Sequence, residues 1–249
     1  MAEAGNSLPR PLYYWPMITL LLAMSALAPA DTAKTVKFTV DAGFVNTTGN
    51  TEITSVNLGN KLEATQKGWK FTQTGGVVYG KNDGEVNTSL WLASLRGARD
   101  LSSKVSLFVV TEFDRNTFAG ISSRYAPQLG LSAKLVDGEK DKLRAEVGGG
   151  YTWQNAVAVG ESAEFAAGRG ALLYARQLGP KASFGQTLEF LPNFKTSDDL
   201  RINSETALTA PLASGVAMKA SYVIRYDGLP ESGFRKTDRI LTTGLQLAF

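Results

Sequence analysis

The feature that most constrains this chain is an alternation of apolar and polar residues that begins at Val36 and continues to the C-terminus. In the first segment, Val36, Phe38 and Val40 alternate with Lys37 and Thr39. A period of two predicts β-strands with one apolar and one polar face. No stretch of ten or more residues combines a helical period with helix caps. We therefore predict an all-β chain of about twelve strands, each roughly 9–12 residues long.

The connections between these predicted strands alternate strictly between short and long. Five short turns lie at 65–68, 100–104, 137–140, 179–181 and 213–215, and six longer polar loops lie at 46–52, 81–89, 114–122, 154–162, 192–199 and 227–236. A meander of this kind has all its short turns at one end and all its long loops at the other, as outer-membrane barrels do. Residues 31–249 are therefore predicted to form a transmembrane, antiparallel, up-and-down β-barrel.

A soluble β-sandwich or a lipocalin-like barrel is the alternative fold. Large aromatic residues near the strand ends count against it, because they resemble the girdle of a lipid-facing wall. These residues are Trp69, Tyr79, Trp91, Tyr125, Tyr151, Trp153, Tyr222 and Tyr226. The opposite face is heavily charged, which a wet lumen tolerates and a packed core does not. Because lipid leaves no backbone group unpaired, a sheet that spans it must close on itself.

The first thirty residues are predicted to be a signal peptide that is separate from the fold. Arg10 precedes the apolar stretch 15–28, and Ala28-Pro29-Ala30 is a small-x-small cleavage site. A signal anchor is the alternative, but the apolar run is short for a span. We therefore expect cleavage after Ala30, export, and a place in the bacterial outer membrane.

The composition excludes much familiar chemistry, because the chain has no Cys and no His. Disulfides, zinc and iron–sulfur ligation, thiol nucleophiles and Ser-His triads are all excluded. We predict no cofactor, no metal site and no enzymatic activity. An outer-membrane enzyme is a remote alternative, in which Glu112 and Asp114 would do acid–base work. Lys and Arg are scattered along the chain, so no nucleic-acid partner is expected.

The polar face of the predicted strands gathers seven basic and six acidic side chains. These predicted lumen-lining charges are Arg96, Glu112, Asp114, Arg124, Arg144, Glu146, Glu189, Arg201, Glu205, Lys219, Arg225, Asp227 and Asp238. They could fill and rigidify the interior by pairing with one another, as buried charges must. They could equally line a narrow path for small hydrophilic solutes or ions. Both alternatives stay open.

Two segments leave local alternatives open. The facing of strand 163–178 is ambiguous, because Glu164 and Arg169 lie on opposite parities. The loop from Arg115 to Arg124 carries Phe118 between polar residues. It could fold inward as a constriction or simply cover the surface.

The C-terminus supplies a candidate assembly signal. Leu245, Leu247 and Phe249 lie on one face of the last predicted strand. A terminal aromatic residue on such a strand is typical of the signal read by the barrel-assembly machinery. The expected partners are therefore outer-membrane lipid and, during biogenesis, this machinery, while the oligomeric state is left open.

Several longer motifs carry a family resemblance. They are VDAGFVNTTGNTEITSVNLG (40–59), FDRNTFAGISSRYAPQLGLSAKL (113–135), GGGYTW (148–153), LEFLPNF (188–194), LRINSETALTAPL (200–212) and YVIRYDGLPESGFRKTDRILTTGLQLAF (222–249). Across nearly the whole mature chain, the sequence resembles the YdiY-like family of salt-induced outer membrane proteins, a domain of unknown function. The resemblance implies an outer-membrane barrel that is associated with salt or acid stress. It supplies no catalytic residue and no ligand.

Overall fold

A computed structural model describes residues 36–48, 53–82, 85–158, 161–179 and 182–249 of the 249-residue chain. The predicted signal peptide, with its cleavage site at Ala28 and Ala30, lies outside these ranges. No helix within the described ranges is long and apolar enough to cross a bilayer.

Within the described ranges, the fold is one closed sheet of twelve antiparallel strands. The strands are β1 (Val36–Thr48), β2 (Ile53–Gln66), β3 (Trp69–Asn82), β4 (Glu85–Asp100), β5 (Val105–Asn116), β6 (Ile121–Asp137), β7 (Asp141–Ala156), β8 (Ser162–Leu178), β9 (Ala182–Pro192), β10 (Leu200–Ala213), β11 (Val216–Asp227) and β12 (Thr237–Ala248). Each strand pairs with its neighbours in sequence, and β12 pairs with β1 to close the barrel. The predicted up-and-down β-barrel is confirmed.

The register places the apolar parity of each strand on the outer wall. Leu58 on β2 is paired with Val77 on β3, which is paired in turn with Trp91 on β4. Directly paired residues share a face of the sheet, and Leu58 and Trp91 are both exposed. All eight predicted girdle aromatics lie on this outer wall. An exposed apolar wall with aromatic residues near the strand ends is the surface that contacts lipid.

The strands are longer, and some loops shorter, than the sequence predicts. The observed strands have 11–17 residues, so the expected 9–12 is wrong. Only residues 83–84 separate β3 from β4, and only 117–120 separate β5 from β6, where longer loops are expected. The reason is that the strands continue beyond the apolar belt, where polar residues still pair with the neighbouring strand.

The two ends of the described chain meet where the barrel closes. The amide N–H of Phe249 donates to the carbonyl oxygen of Phe38 over 2.8 Å, and their rings lie 6.2 Å apart. Leu245 and Leu247 are exposed on the outer wall of β12. These contacts give Phe249 a structural place in the closing seam. Its reading by the assembly machinery stays a prediction.

Inward-facing glycines are paired with each other at two places in the sheet. Gly130 is paired with Gly148 across β6 and β7, and Gly43 is paired with Gly244 across β1 and β12. A Cβ atom added at any of these four positions would overlap a carbonyl oxygen of the neighbouring strand. The two pairs lie half-way round the barrel from each other in strand order. Close backbone approach therefore requires glycine at both places.

We expect Gly148→Ala to lower the free energy of unfolding by about 1–3 kcal/mol, because the new methyl group would overlap the backbone of β6. Gly170→Ala is the matched control, since a Cβ atom there meets no atom within 4 Å. The control should stay within about 0.5 kcal/mol of the wild type. Urea unfolding in phospholipid vesicles measures both values, and equal losses would contradict the explanation.

Candidate functional site

Contacts between non-neighbouring strands identify the interior of the barrel. Arg96 on β4 and Glu146 on β7 form an ion pair with a distance of 2.7 Å between Nη2 and Oε1. Strands β5 and β6 lie between them in the wall. The two side chains can therefore meet only through the lumen, which makes the lumen the candidate functional site.

Five charged side chains form a connected cluster in the lumen, here called the interior ion network: Arg96, Glu112, Glu146, Arg169 and Glu189. Arg169 pairs with Glu189, lies 3.5 Å from Glu146 and lies 3.6 Å from Glu112. Glu146 is shared, because it also pairs with Arg96. The side chains of Glu146 and Arg169 are only 2% and 8% exposed. Charges this deeply buried are tolerated only when they are paired.

Neutral side chains complete the interior ion network. Phe108 is fully buried, and the Arg96 guanidinium lies 4.1 Å from the centre of its ring. Asn203 Nδ2 donates to Glu189 over 2.7 Å, and Arg169 donates to Gln128 Oε1 over 3.2 Å. A cation over an aromatic face gains electrostatic energy where water is scarce. Together these side chains cross-link seven consecutive strands, β4 to β10, from within.

A second group of charges lies toward the loop end, where the connections 193–199 and 228–236 are located. Arg124 on β6 lies 3.9 Å from Asp114 on β5 and 3.8 Å from Asp227 on β11. Its Nε also donates to Gln154 Oε1 over 2.8 Å. Arg201 is buried nearby, 5.6 Å from the centre of the Phe165 ring.

A third contact joins β11 to the closing seam. Lys219 Nζ lies 3.3 Å from Asp41 Oδ2, and Gln246 Nε2 donates to Asp41 Oδ1 over 2.9 Å. Asp41 therefore connects β1 to both β11 and β12. These side chains line the lumen on the side opposite the interior ion network.

The thirteen predicted lumen charges all lie on the inward parity, but they do not form one ladder. Four of them belong to the interior ion network: Arg96, Glu112, Glu146 and Glu189. Four belong to the loop-end group: Asp114, Arg124, Arg201 and Asp227. Lys219 pairs with Asp41, and the cavities are lined by Glu205, Arg225 and Asp238. Arg144 stands apart, since it is exposed near the turn end and ion-pairs with no other described residue. That any of these charges contacts a solute stays a prediction.

Sequence reasoning missed three interior residues. Arg169 faces inward, paired with Gly148, while Glu164 is exposed on the outer face at the loop end of β8, and this settles the facing of 163–178. Asp41 carried a usable signal, because it lies on the polar parity of β1. Phe108 carried none, because apolar residues occupy both parities from 107 to 110.

Two cavities occupy the part of the lumen that the side chains leave open. One, of about 350 Å³, lies toward the loop end and is lined by Arg124, Arg201 and Asp227 among others. The other, of about 640 Å³, is lined by Asp41 and Lys219 among others. Five residues line both cavities: Thr74, Leu92, Glu205, Val223 and Arg225. The cavities therefore adjoin at a shared boundary.

Apolar side chains narrow the lumen at this boundary. Buried Leu90 and Ile240 pack together, and Val78, Leu92 and Val223 pack against them. These residues belong to β3 and β4 on one side and to β11 and β12 on the other. We call this group the apolar constriction.

The described loop that reaches across the mouth is 228–236, whereas the sequence left open whether 115–124 folds inward as a constriction or covers the surface. Gln154 Nε2 on β7 donates to Glu231 Oε1 over 2.9 Å. A Cβ atom at Gly120 would lie 2.7 Å from Glu231 Cβ, so the two segments are in contact. Residues 115–124 are mostly strand around a 3-10 turn at Thr117–Ala119. The Phe118 side chain lies outside the described part of the structure, so the choice between the two alternatives stays open.

Comparison with protein families assigns the chain to a family. Residues 40–249 match DUF481, described as a protein of unknown function. The chain belongs to the DUF481 family. No curated protein matches this member by sequence.

Solved structures similar to this DUF481 member include two porins. NanC porin is 11% identical, with a TM-score of 0.57 over 84% of this chain and 98% of the porin chain. KdgM porin is 11% identical, with a TM-score of 0.49 over 85% of this chain and 99% of its own. The likeness to NanC porin shows the fold. A closed barrel with an apolar wall and aromatic girdles is an outer-membrane β-barrel, which places the chain in the bacterial outer membrane.

Arg169→Leu tests whether the interior ion network stabilises the barrel. We expect it to lower the free energy of unfolding by about 3–5 kcal/mol, because three glutamates lose their shared cation. Arg144→Leu is the matched control, since that inward arginine is exposed and should change the value by about 0.5 kcal/mol or less. Urea titration in vesicles, followed by tryptophan fluorescence, measures both, and an Arg169→Leu barrel as stable as the control would refute the expectation.

Proposed function

We propose that this barrel is a narrow channel for small hydrophilic solutes or ions. The observation that supports the proposal is the adjoining pair of cavities, which share five lining residues. Their linings carry charges of both signs, including Arg124, Asp227, Asp41 and Lys219. Charged groups exchange with the hydration shell of a solute, so such a lining favours hydrophilic cargo over apolar cargo.

The size of the cargo is set by the apolar constriction. Leu92 and Val223 stand on opposite sides of the lumen and also line both cavities. An apolar narrowing controls conduction by excluding water when it is tight. A solute that passes must therefore be small, or the constriction must widen to admit it.

The channel proposal predicts that Leu92→Ala raises single-channel conductance in planar bilayers by a factor of about two, because it shortens the apolar narrowing. Leu95→Ala is the matched control, since Leu95 lies on the same strand but on the lipid-facing parity. The control should leave conductance unchanged. An absence of conductance steps for wild type and Leu92→Ala across several salts would overturn the channel proposal.

Ion selectivity gives a second readout at the same boundary. Glu205 and Arg225 have opposite charges and line both cavities. Glu205→Gln should shift the reversal potential toward anion selectivity, and Arg225→Gln should shift it toward cation selectivity, because each removes one fixed charge from the path. Shifts in the same direction, or no shift in a conducting channel, would show that the ions take another path.

A plugged, envelope-maintaining barrel is the second candidate function. It is favoured by the side chains that fill the lumen from β4 to β10 and by the apolar constriction. The conductance measurement separates the two candidates, because a plugged barrel gives no steps even when Leu92 is truncated. In either case the lumen requires no catalytic chemistry, and a non-enzymatic protein remains our proposal.

Two further expectations from the sequence accompany this proposal. A role linked to salt or acid stress rests on the family resemblance alone. Recognition of Leu245, Leu247 and Phe249 during assembly rests on the sequence pattern of the last strand. Both stay predictions.

A further inference from the structure

Two amide side chains lie on the lipid-facing wall. Asn60 on β2 is paired with Gly75, and Gln73 on β3 is paired with Leu62, so both amides share the outer face with apolar residues. Asn60 Nδ2 donates to Gln73 Oε1 over 2.8 Å. Neither side chain is buried. The wall therefore presents a polar pair where apolar residues are expected.

The position along β3 places this pair at hydrocarbon depth. On the outer parity, Gln73 follows Trp69 and Phe71 near the turn end and precedes Tyr79 near the loop end. Girdle aromatics occupy the two membrane interfaces. A residue between them faces the bilayer interior, where water is not available as a hydrogen-bond partner.

The pair leaves hydrogen-bonding capacity unused. The bond between them uses Asn60 Nδ2 and Gln73 Oε1, so Gln73 Nε2 donates to no described atom and Asn60 Oδ1 accepts from no described atom. A primary amide offers two N–H donors and one carbonyl acceptor. Polar groups left unpaired in hydrocarbon are costly, which favours any contact that satisfies them.

Another lipid-facing amide shows what a satisfied group looks like on this barrel. Gln186 Nε2 on β9 donates to Ser204 Oγ over 3.0 Å and to the Thr187 carbonyl oxygen over 3.1 Å. Its Oε1 accepts from Thr206 Oγ1 over 2.5 Å. Gln186 therefore needs no external partner, and it provides an internal control for Asn60 and Gln73.

Small residues surround the amide pair, so the outer wall carries little side-chain bulk there. Gly75 is paired with Ala93, and Gly97 lies on the same outer face of β4. A Cβ atom at Gly75 would lie 2.5 Å from Asn60 Oδ1, so the amide occupies the space above that glycine. Small residues let two membrane-embedded surfaces approach closely enough for polar groups to meet.

We propose that this patch, formed by Asn60, Gln73, Gly75 and Ala93, is the symmetric contact between two copies of this chain in the membrane. In a twofold arrangement, the unused donor of Gln73 meets the unused acceptor of Asn60 in the second copy, and the reciprocal bond forms as well. The donor and acceptor of the pair are thus self-complementary. Lipid tails have neither group, so they cannot replace the second copy. The proposal does not depend on whether the barrel conducts.

Subunit counting in supported bilayers tests the proposal directly. We expect two photobleaching steps per particle for the wild type carrying one fluorophore per chain. Asn60→Leu/Gln73→Leu should give one step, while Gln186→Leu should still give two. Heat-modifiable migration on gels checks that each variant has folded. One step for the wild type, or two for the double variant, would overturn the proposal.

Cysteine cross-linking locates the contact. Because the chain has no native Cys, any disulfide must join the introduced residues. Ala93→Cys lies in the patch, and Ala220→Cys lies on the outer wall of β11 as the matched control. Disulfides form only between Cα atoms about 4.4–6.8 Å apart. We expect a covalent dimer for Ala93→Cys in vesicles, at least tenfold more than for Ala220→Cys and lost in the Asn60→Leu/Gln73→Leu background. Equal yields at both positions would assign the dimer to random collisions.

Discussion

The requirement that every backbone amide be paired within lipid governs this structure. Twelve strands satisfy it by pairing β12 with β1, and the terminal residue Phe249 exchanges backbone hydrogen bonds with Phe38 at that seam. Asp41 ties the same seam to β11 and β12 from inside through Lys219 and Gln246. Closure is thus stabilised by backbone bonds in the wall and by charged side chains in the lumen.

A barrel of twelve strands encloses an interior that must be occupied by side chains or by water. An eight-stranded barrel is filled by its side chains, and a sixteen-stranded barrel holds an aqueous channel. This twelve-stranded barrel combines both solutions. Arg169 and its glutamate partners fill the part of the lumen spanned by β4 to β10, while the cavities lined by Arg124 and Asp41 leave the remainder open.

The period of two was sufficient to predict the strand number and the inward parity of the charges, because both depend on local pattern. Closure was predicted from a different argument, the requirement that lipid leave no backbone group unpaired. Which charges meet depends on shear and register, which local pattern does not contain. Arg169 shows this, since its inward facing follows only from its pairing opposite Gly148. Phe108 shows it differently, because an apolar side chain beneath Arg96 breaks the alternation on which the prediction relied. Likewise, only tertiary contacts show that Glu231 covers the mouth.

The same energetic rule explains one polar group on each face of the wall. Inside, Glu146 is tolerated at low exposure because two arginines satisfy it. Outside, Gln186 is tolerated because Ser204 and Thr206 satisfy it. Gln73 departs from the rule, since its one described hydrogen bond, from Asn60, uses only its carbonyl oxygen. A polar group that the folded chain leaves unsatisfied in lipid calls for a partner outside the fold, and the unused donor of Gln73 and acceptor of Asn60 match the same groups on the proposed second copy.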